Sequence, residues 1–574
     1  MAKPKSRSGG KPAPEPPKSQ EQAPSLSKLL LQATAWIVLA ALSSPISQLN
    51  LSPVYGSIPA TRFHRQAMMV SLALSSLIPR GSKNPLLRNL SQAPGVIAAL
   101  APFVQWLAFN YSMQTGPIYG PLFVELLTFY PLVLTSVRAA LEIVEDLGEK
   151  GVSVLAAPLS PIVISLTAFY LLERFFSPEL PMYMGSADIF NRVSLWVFLA
   201  SAYAFLSKPR IQGVVVPLLI ITLLYNPHYH AGRNTTRLRA SLDSEGWFVL
   251  ERKESITGYI SVLETKEKPF QLLRCDHSLL GGEWLVTPQL QEQGVTTRES
   301  VYAVFSMLEA VRLVKTPSIS NPDTSKSGLI IGLGIGTAPT AFIAHGINTT
   351  IVELDPVVHE FATKYFALPS NHTAILRDAV PWVASAAHTS PSSYDFIIHD
   401  VFTGGAEPAS LFTLEFLSDL STLLTKNGVI AINYAGILHL PSTALVLRTI
   451  AAVFPVCRMY RDVAPTPDAE PNFVNMVVFC LSPESESKRI EFRKPVEADF
   501  LESVGRRNNL LPQAEQEIPF PPPVAKGEGE KGESGEPLLR KGDLRALEKY
   551  RVEGAVRHWW IMRGVVPAKV WEMW

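Results

Sequence analysis

A chain of 574 residues has room for two or three domains, and its 51 basic and 50 acidic residues nearly cancel, which excludes a strongly charged surface aimed at nucleic acid or an acidic substrate. Hydrophobic residues make up 47% against 18% charged, and a mean hydropathy of +0.17 is high for a wholly soluble protein of this size, which points to lipid. The three cysteines, Cys275, Cys457 and Cys480, form no CxxC pair and have no metal-ligand spacing to a histidine, so neither a disulfide framework nor a metal site is expected.

Residues 1–28 are rich in Lys, Pro, Ser and Gly and read as a disordered basic tail. They are not a typical secretory signal, because the apolar stretch that follows is long and offers no small-residue cleavage site. Charge-free stretches then recur at 29–61, 66–79, 89–124, 126–137, 151–172, 193–207 and 211–232. A membrane helix needs about 20 mainly apolar residues, so residues 29–232 are predicted to form an α-helical, multi-pass transmembrane domain of six or seven spans. The segment 66–79 is short enough to be interfacial or re-entrant. Lys3, Lys5, Arg7, Lys11, Lys18 and Lys28 argue for a cytoplasmic N-terminus. Six spans then return the C-terminal half to the cytoplasm, the placement expected here, and seven put it across the membrane. Arg62 and Arg65 on one side of segment 66–79 and Arg80, Lys83 and Arg88 on the other do not decide between the two.

Past Arg233 the texture becomes that of a soluble protein. Short β-like runs at 246–252, 259–264, 270–275 and 284–287 predict a small β-rich subdomain over 241–296. After a helix-period run at 297–314, strand and helix patterns alternate at 329–333, 338–345, 348–354, 357–366, 394–399, 413–424 and 429–434, the signature of a parallel sheet flanked by helices. Residues 297–483 are therefore read as an α/β Rossmann-like domain. Charge and Pro/Gly content from 484 to 542 suggest a flexible linker, and 543–574 a helical tail whose Trp559, Trp560, Trp571 and Trp574 pack or lie at a membrane interface.

One constellation carries chemistry. The strand-like run before Gly332 leads into Gly332, Gly334 and Gly336, which allow a tight turn and close approach of a ligand to backbone. Glu353 ends the second strand, where a carboxylate can accept both ribose hydroxyl protons. Asp355, followed by Pro356, reads better as a helix cap. Asp378-Ala379 and Asp400 end two further apolar runs, and ligands in open parallel sheets collect at such strand ends. His399 should point away from Asp400 under strand alternation, and His277 fits a turn better than a pocket. The sequons at Asn234, Asn348 and Asn371 are usable only if this half faces a secretory lumen.

Over about residues 246–480 this order and wording resembles the spermidine synthase family of aminopropyltransferases. The resemblance implies that the glycine loop, Glu353 and Asp378-Ala379 hold thioadenosine, ribose and adenine respectively. Asp400 matches the first acid of the family's DSxDP loop, Ser410-Leu411-Phe412 its following SLF, and Glu299 and Tyr302 the acid and tyrosine of its DEFxYHE helix. Asp400 would then help deprotonate the attacking amine, with Tyr302 orienting it. Three positions depart: Ile335 replaces the aspartate of the GGGDGG loop that holds the aminopropyl amine, Thr403 the second acid of DSxDP, and Ala303 the histidine after the tyrosine. Charges that would hold cationic amines are missing, and an unpaired ammonium in a closed pocket is costly.

The expectation is a membrane-anchored transferase that binds decarboxylated S-adenosylmethionine or S-adenosylmethionine and passes an aminopropyl group to a small amine or polyamine. A methyltransferase using the intact nucleotide, or a membrane scaffold that has lost turnover, is the alternative. Expected partners are the acceptor and the lipid bilayer, with homodimerisation a further option and no nucleic acid.

Overall fold

The computed structural model describes residues 25–79, 90–149, 160–318, 320–401, 408–465, 473–521 and 537–574. Nearly all of the basic tail, the loop cations Arg80, Lys83 and Arg88, Thr403 and part of the expected linker lie outside the described residues.

The N-terminal part is a helix bundle: α1 (Leu26–Tyr55), α2 (His64–Leu77), α3 (Pro94–Phe109), α4 (Ser112–Leu127), α5 (Phe129–Glu149), α6 (Ser160–Glu179), α7 (Arg192–Leu206) and α8 (Pro209–Tyr225). Ser25 starts α1 by accepting the Lys28 N–H on its hydroxyl, the usual service of an N-cap. Trp36, Phe129, Phe169, Trp196 and Tyr203 fill the interior. One polar cluster lies inside the bundle: His64 is 2.8 Å from both Ser44 Oγ and Glu125 Oε1, and Tyr130 donates to Glu125 Oε2 at 2.6 Å.

By length and composition, two helical stretches among the described residues could cross a membrane, Leu26–Tyr55 and the 38-residue Ser112–Glu149. The apolar helices α3, α7 and α8 are shorter. The six or seven spans expected from charge-free runs thus reduce to two by this measure. A run without charges is not a run without breaks: segment 89–124 divides between α3 and α4, and Gly116 at φ +66° kinks α4.

A linking helix α9 (Gly232–Asp243) leads to an antiparallel sheet of β1 (Trp247–Ser255), β2 (Gly258–Thr265), β3 (Phe270–Cys275), β4 (Ser278–Trp284) and the short β5 (Glu299–Ser300), paired in that order. After helix α10 (Ala303–Leu308) the α/β domain begins. It runs β6 (Ser327–Ile331), α11 (Thr337–Ala344), β7 (Asn348–Glu353), α12 (Pro356–Tyr365), β8 (Thr373–Leu376), α13 (Ala379–Thr389), β9 (Tyr394–His399), α14 (Leu414–Leu423), β10 (Leu424–Gly436), α15 (Pro441–Val453), β11 (Cys457–Arg461), β12 (Val474–Leu481) and β13 (Glu517–Ile518). The sheet order is β13-β11-β12-β10-β9-β6-β7-β8. Strands β6 to β10 pair in parallel, while β12 runs antiparallel to β10 and β11 antiparallel to β12. This is the Rossmann-like arrangement of the methyltransferase type, and the order reverses between β6 and β9, where a crevice opens at the carboxyl ends of the strands.

Two expectations fail here. Cys457 and Cys480 form a disulfide, because their antiparallel strands set them directly opposite each other with Cα atoms 4.1 Å apart. Spacing rules for local motifs do not register such a pair. The flexible linker also starts later than 484: Ile490 and Leu510 are buried, and β13 extends the main sheet. The charges that suggested disorder are consumed internally, since Arg506 forms a two-bond pair with buried Glu309 (2.8 and 2.9 Å) and Asp499 sits between Arg493 and Arg312.

The chain ends in α16 (Arg545–Val565) and α17 (Ala568–Glu572), which wedge between bundle and β-rich sheet. Trp574 stacks on His228 with ring centroids 4.3 Å apart, its carbonyl accepts from Arg252, and Arg274 donates to Val570 and Trp571 of this segment and to Pro53 of α1. Of the four tail tryptophans only Trp560 is exposed.

Candidate active site

The crevice between β6 and β9 opens into a cavity of about 430 Å³. Its floor is the loop after β6. Gly332 (φ +85°) and Gly334 (φ +56°) adopt backbone conformations that side chains avoid, and a Cβ at either would press on a carbonyl oxygen, that of Asp400 at 2.0 Å or of Leu280 at 2.4 Å. Both glycines line the cavity, as do Glu353, Asp378, Ala379, Asp400 and Tyr302. Gly336 does not; it is the left-handed residue that starts α11.

Glu353 ends β7, is nine-tenths buried, and accepts the Asp355 N–H at 2.8 Å. Burial, partly offset by backbone N–H groups, pushes its carboxyl up to about 7. Asp355 is the helix cap that Pro356 suggested: it accepts from Val357 N at 2.8 Å and also from Ser255 and Thr257, which ties the β-rich sheet to the α/β domain. Asp378 likewise caps α13 through Val380 N at 2.9 Å and stands exposed at the cavity rim.

Asp400 follows β9, its N–H bonded to Ile331 O at 2.8 Å. Asn433, from the middle of neighbouring β10, donates Nδ2 to Asp400 Oδ1 at 2.7 Å. Burial raises the Asp400 carboxyl to about 6 despite that bond. Asn433 Oδ1 and the Tyr302 hydroxyl are buried with no hydrogen-bond partner among the described residues, and both residues face the cavity. Burial alone pushes the Tyr302 phenol up to about 12, so it stays protonated. The site thus gathers a carboxylate, an amide oxygen and a phenol around one space, a set suited to holding an N–H group and taking a proton from it.

Other positions settle elsewhere. Glu299 accepts from Ser503 Oγ and from the N–H groups of Val504 and Gly505, and does not line the cavity. His399 is buried and bonded to Leu411 O at 3.0 Å, on the far side of the strand as alternation requires. His277 lies between Trp559 and Trp571 and accepts from Arg563 Nε at 3.1 Å, at the junction with the C-terminal segment. Ile335 is buried and packs over Gly281 of β4, so an apolar side chain occupies the loop position where the resembling family carries an acid. Asn433, Asn475, Phe473, His558 and Met562 also line the cavity and escaped sequence reading. Asn433 had a signal, as the one amide side chain in the apolar run 429–436; the others had none.

Residues 307–488 match the spermine/spermidine synthase domain model. A polyamine aminopropyltransferase from Vibrio vulnificus is 36% identical over 126 residues, 21% of this chain and 42% of that protein. Among solved structures, a probable spermidine synthase from Corynebacterium glutamicum covers 50% of this chain and 98% of its own at 17% identity and a TM-score of 0.34. Human methyltransferase-like protein 13 in complex with SAH covers 36% of this chain and 92% of its own at 23% identity and a TM-score of 0.26. Far more extensive is the match to the N-terminal histidine N-methyltransferase of Emericella nidulans, 41% identical over 555 residues that take in 95% of this chain and 98% of that one. That alignment reaches far beyond the spermine/spermidine synthase domain, and the chain belongs to the family of this methyltransferase.

Proposed function

We propose that the protein is an S-adenosylmethionine-dependent N-methyltransferase whose acceptor is the N-terminal histidine of a peptide or protein. This reverses the order of the two transferase readings that the sequence suggested. The observation that carries the choice is Ile335. An acid in this loop would attract the ammonium of an aminopropyl group and repel the carboxylate of intact S-adenosylmethionine; an apolar residue removes both effects. The loop N–H groups ahead of α11 can then receive that carboxylate. Glu353 suits the ribose hydroxyls and Asp378 the adenine rim, as in the resembling family.

The chemistry needs no further group. A nitrogen lone pair of the acceptor attacks the methyl carbon, the carbon–sulfur bond breaks with its electrons going to sulfur, and the N–H proton passes to Asp400. Asn433 holds the Asp400 carboxylate in place and Tyr302 donates to or accepts from the acceptor. The nature of the thioether product tests this. Full-length protein given S-adenosylmethionine and a histidine-initiated peptide is expected to release S-adenosylhomocysteine. Methylthioadenosine from decarboxylated S-adenosylmethionine and a polyamine, without S-adenosylhomocysteine, would return the aminopropyl reading.

We further propose that the bundle resides in a bilayer as a multi-pass domain, with α3, α7 and α8 joining the two long stretches. Large apolar side chains cover its outside, among them Leu31, Leu77, Leu171, Phe175 and Phe205, the last 84% exposed. The disulfide favours an oxidising compartment for the catalytic half over the cytoplasm expected from sequence. Glycosylation distinguishes the two: Asn371 is exposed in a loop, whereas Asn234 is buried and bonded to Leu223 and Asn226 carbonyls. A glycosidase-sensitive shift abolished by Asn371→Gln is expected; a catalytic half digested by protease outside sealed microsomes would place it in the cytoplasm.

A further inference from the structure

Gly332, Gly334, Glu353 and Asp378 lie inside the matched domain, but one wall of the cavity comes from far beyond it. His558, Ile561 and Met562 come from α16, some seventy residues beyond that domain's end at 488. Their placement is enforced from outside the α/β domain: Trp559 Nε1 and Arg563 donate to Val54 O near the end of α1 (3.0 and 3.1 Å), and Arg563 also donates to His277. Helix α16 is thus pinned by the bundle on one side while it presents His558 and Met562 to the cavity that holds Asp400.

His558 is 6% exposed, with the Phe473 ring 6.5 Å from its own. Burial pushes its imidazole down to about 4, so at neutral pH it is uncharged, with one protonated and one unprotonated ring nitrogen. Ile561, 43% exposed, edges the same wall. The α16 residues that line the cavity carry no charge, which suits an acceptor that brings its own ring and peptide groups better than a multiply cationic amine.

We propose that α16 is the acceptor-recognition element of the transferase site, with His558 hydrogen-bonding the acceptor and Ile561 and Met562 packing beside it. The proposal rests on the reading of this cavity as a transferase site, and gives the bundle a role in catalysis: α1 holds the helix that selects the substrate.

The test uses the full-length protein in membranes. A histidine-initiated peptide carrying a photo-activatable diazirine at its second residue is cross-linked, and the adducts are mapped by mass spectrometry with unlabelled peptide as competitor. Competed adducts within 555–565 are expected; competed adducts only on the α/β domain, or none on α16, overturn the proposal. In kinetics, His558→Gln and Ile561→Ala should each raise the acceptor KM, His558→Gln by about tenfold or more as for a lost hydrogen bond, with S-adenosylmethionine affinity and melting temperature unchanged. Nucleotide affinity and melting temperature falling together would instead mean a structural histidine. If the wild-type protein forms only methylthioadenosine, the methyl-transfer reading fails separately, and the same variants are judged on the KM of the polyamine.

Discussion

Asp400→Asn should lower the maximal rate of methyl transfer by about 10²- to 10⁴-fold, the worth of a positioned general base, and leave S-adenosylmethionine binding in place. The asparagine can still accept from Asn433, so the side chain at 400 keeps its place while the proton acceptor is lost. The pH dependence follows from the carboxyl raised to about 6. The reaction needs the ionised form, so kcat measured at saturating substrates should fall tenfold per pH unit below about 6, and this limb should vanish in the variant. Stability moves the other way. A carboxyl whose folded value lies above its unfolded one contributes stability below the unfolded value, and loses it as pH rises through about 6. The variant should therefore melt no lower than the parent at pH 8, and higher if the ionised carboxylate strains the fold. A full-activity variant would remove Asp400 from the mechanism.

Glu353→Ala should weaken S-adenosylmethionine binding by roughly ten- to hundredfold, the cost of about 1.5–3 kcal/mol for charge-assisted bonds to ribose hydroxyls. Because burial raises the free carboxyl to about 7, much of it is protonated in the empty site at neutral pH. The hydroxyls favour the ionised form, so binding lowers the carboxyl's value and expels a proton. Affinity is thus predicted to decline as pH falls below about 7, up to tenfold per unit, and to be flat in this range in the variant. Calorimetry in two buffers of different ionisation enthalpy measures the proton directly; no proton release and unchanged affinity in Glu353→Ala would put the ribose elsewhere.

These groups were legible in the sequence because a parallel sheet orders its ligand residues along the chain. Each strand ends in its own short signal, so the glycines, Glu353, Asp378 and Asp400 appear in register with the apolar runs that carry them. The capping role of Asp355 was readable for the same reason, since a cap and the proline after it are neighbours. What escaped depends on partners distant in sequence. Asn433 matters only because β10 lies beside β9, and His558 only because α16 is tied back to α1. The disulfide required the β11–β12 register, and the order of 484–521 required knowing that Arg506 meets Glu309, nearly two hundred residues away. Composition counted those charges as solvated. In the bundle, counting charge-free residues could not show that one run breaks into two helices at Asn110-Tyr111, or that Gly116 kinks the second of them.

The central claim, methyl transfer to a terminal histidine, is tested most directly by two synthetic peptides of identical composition, one beginning with histidine and the other carrying it at the second position. Each is incubated with S-adenosylmethionine and the full-length protein in membranes, then sequenced by tandem mass spectrometry. One added methyl group is expected on the first residue of the histidine-initiated peptide and none on its isomer. Equal methylation of both peptides, or none on either while a polyamine gains an aminopropyl group, would contradict it.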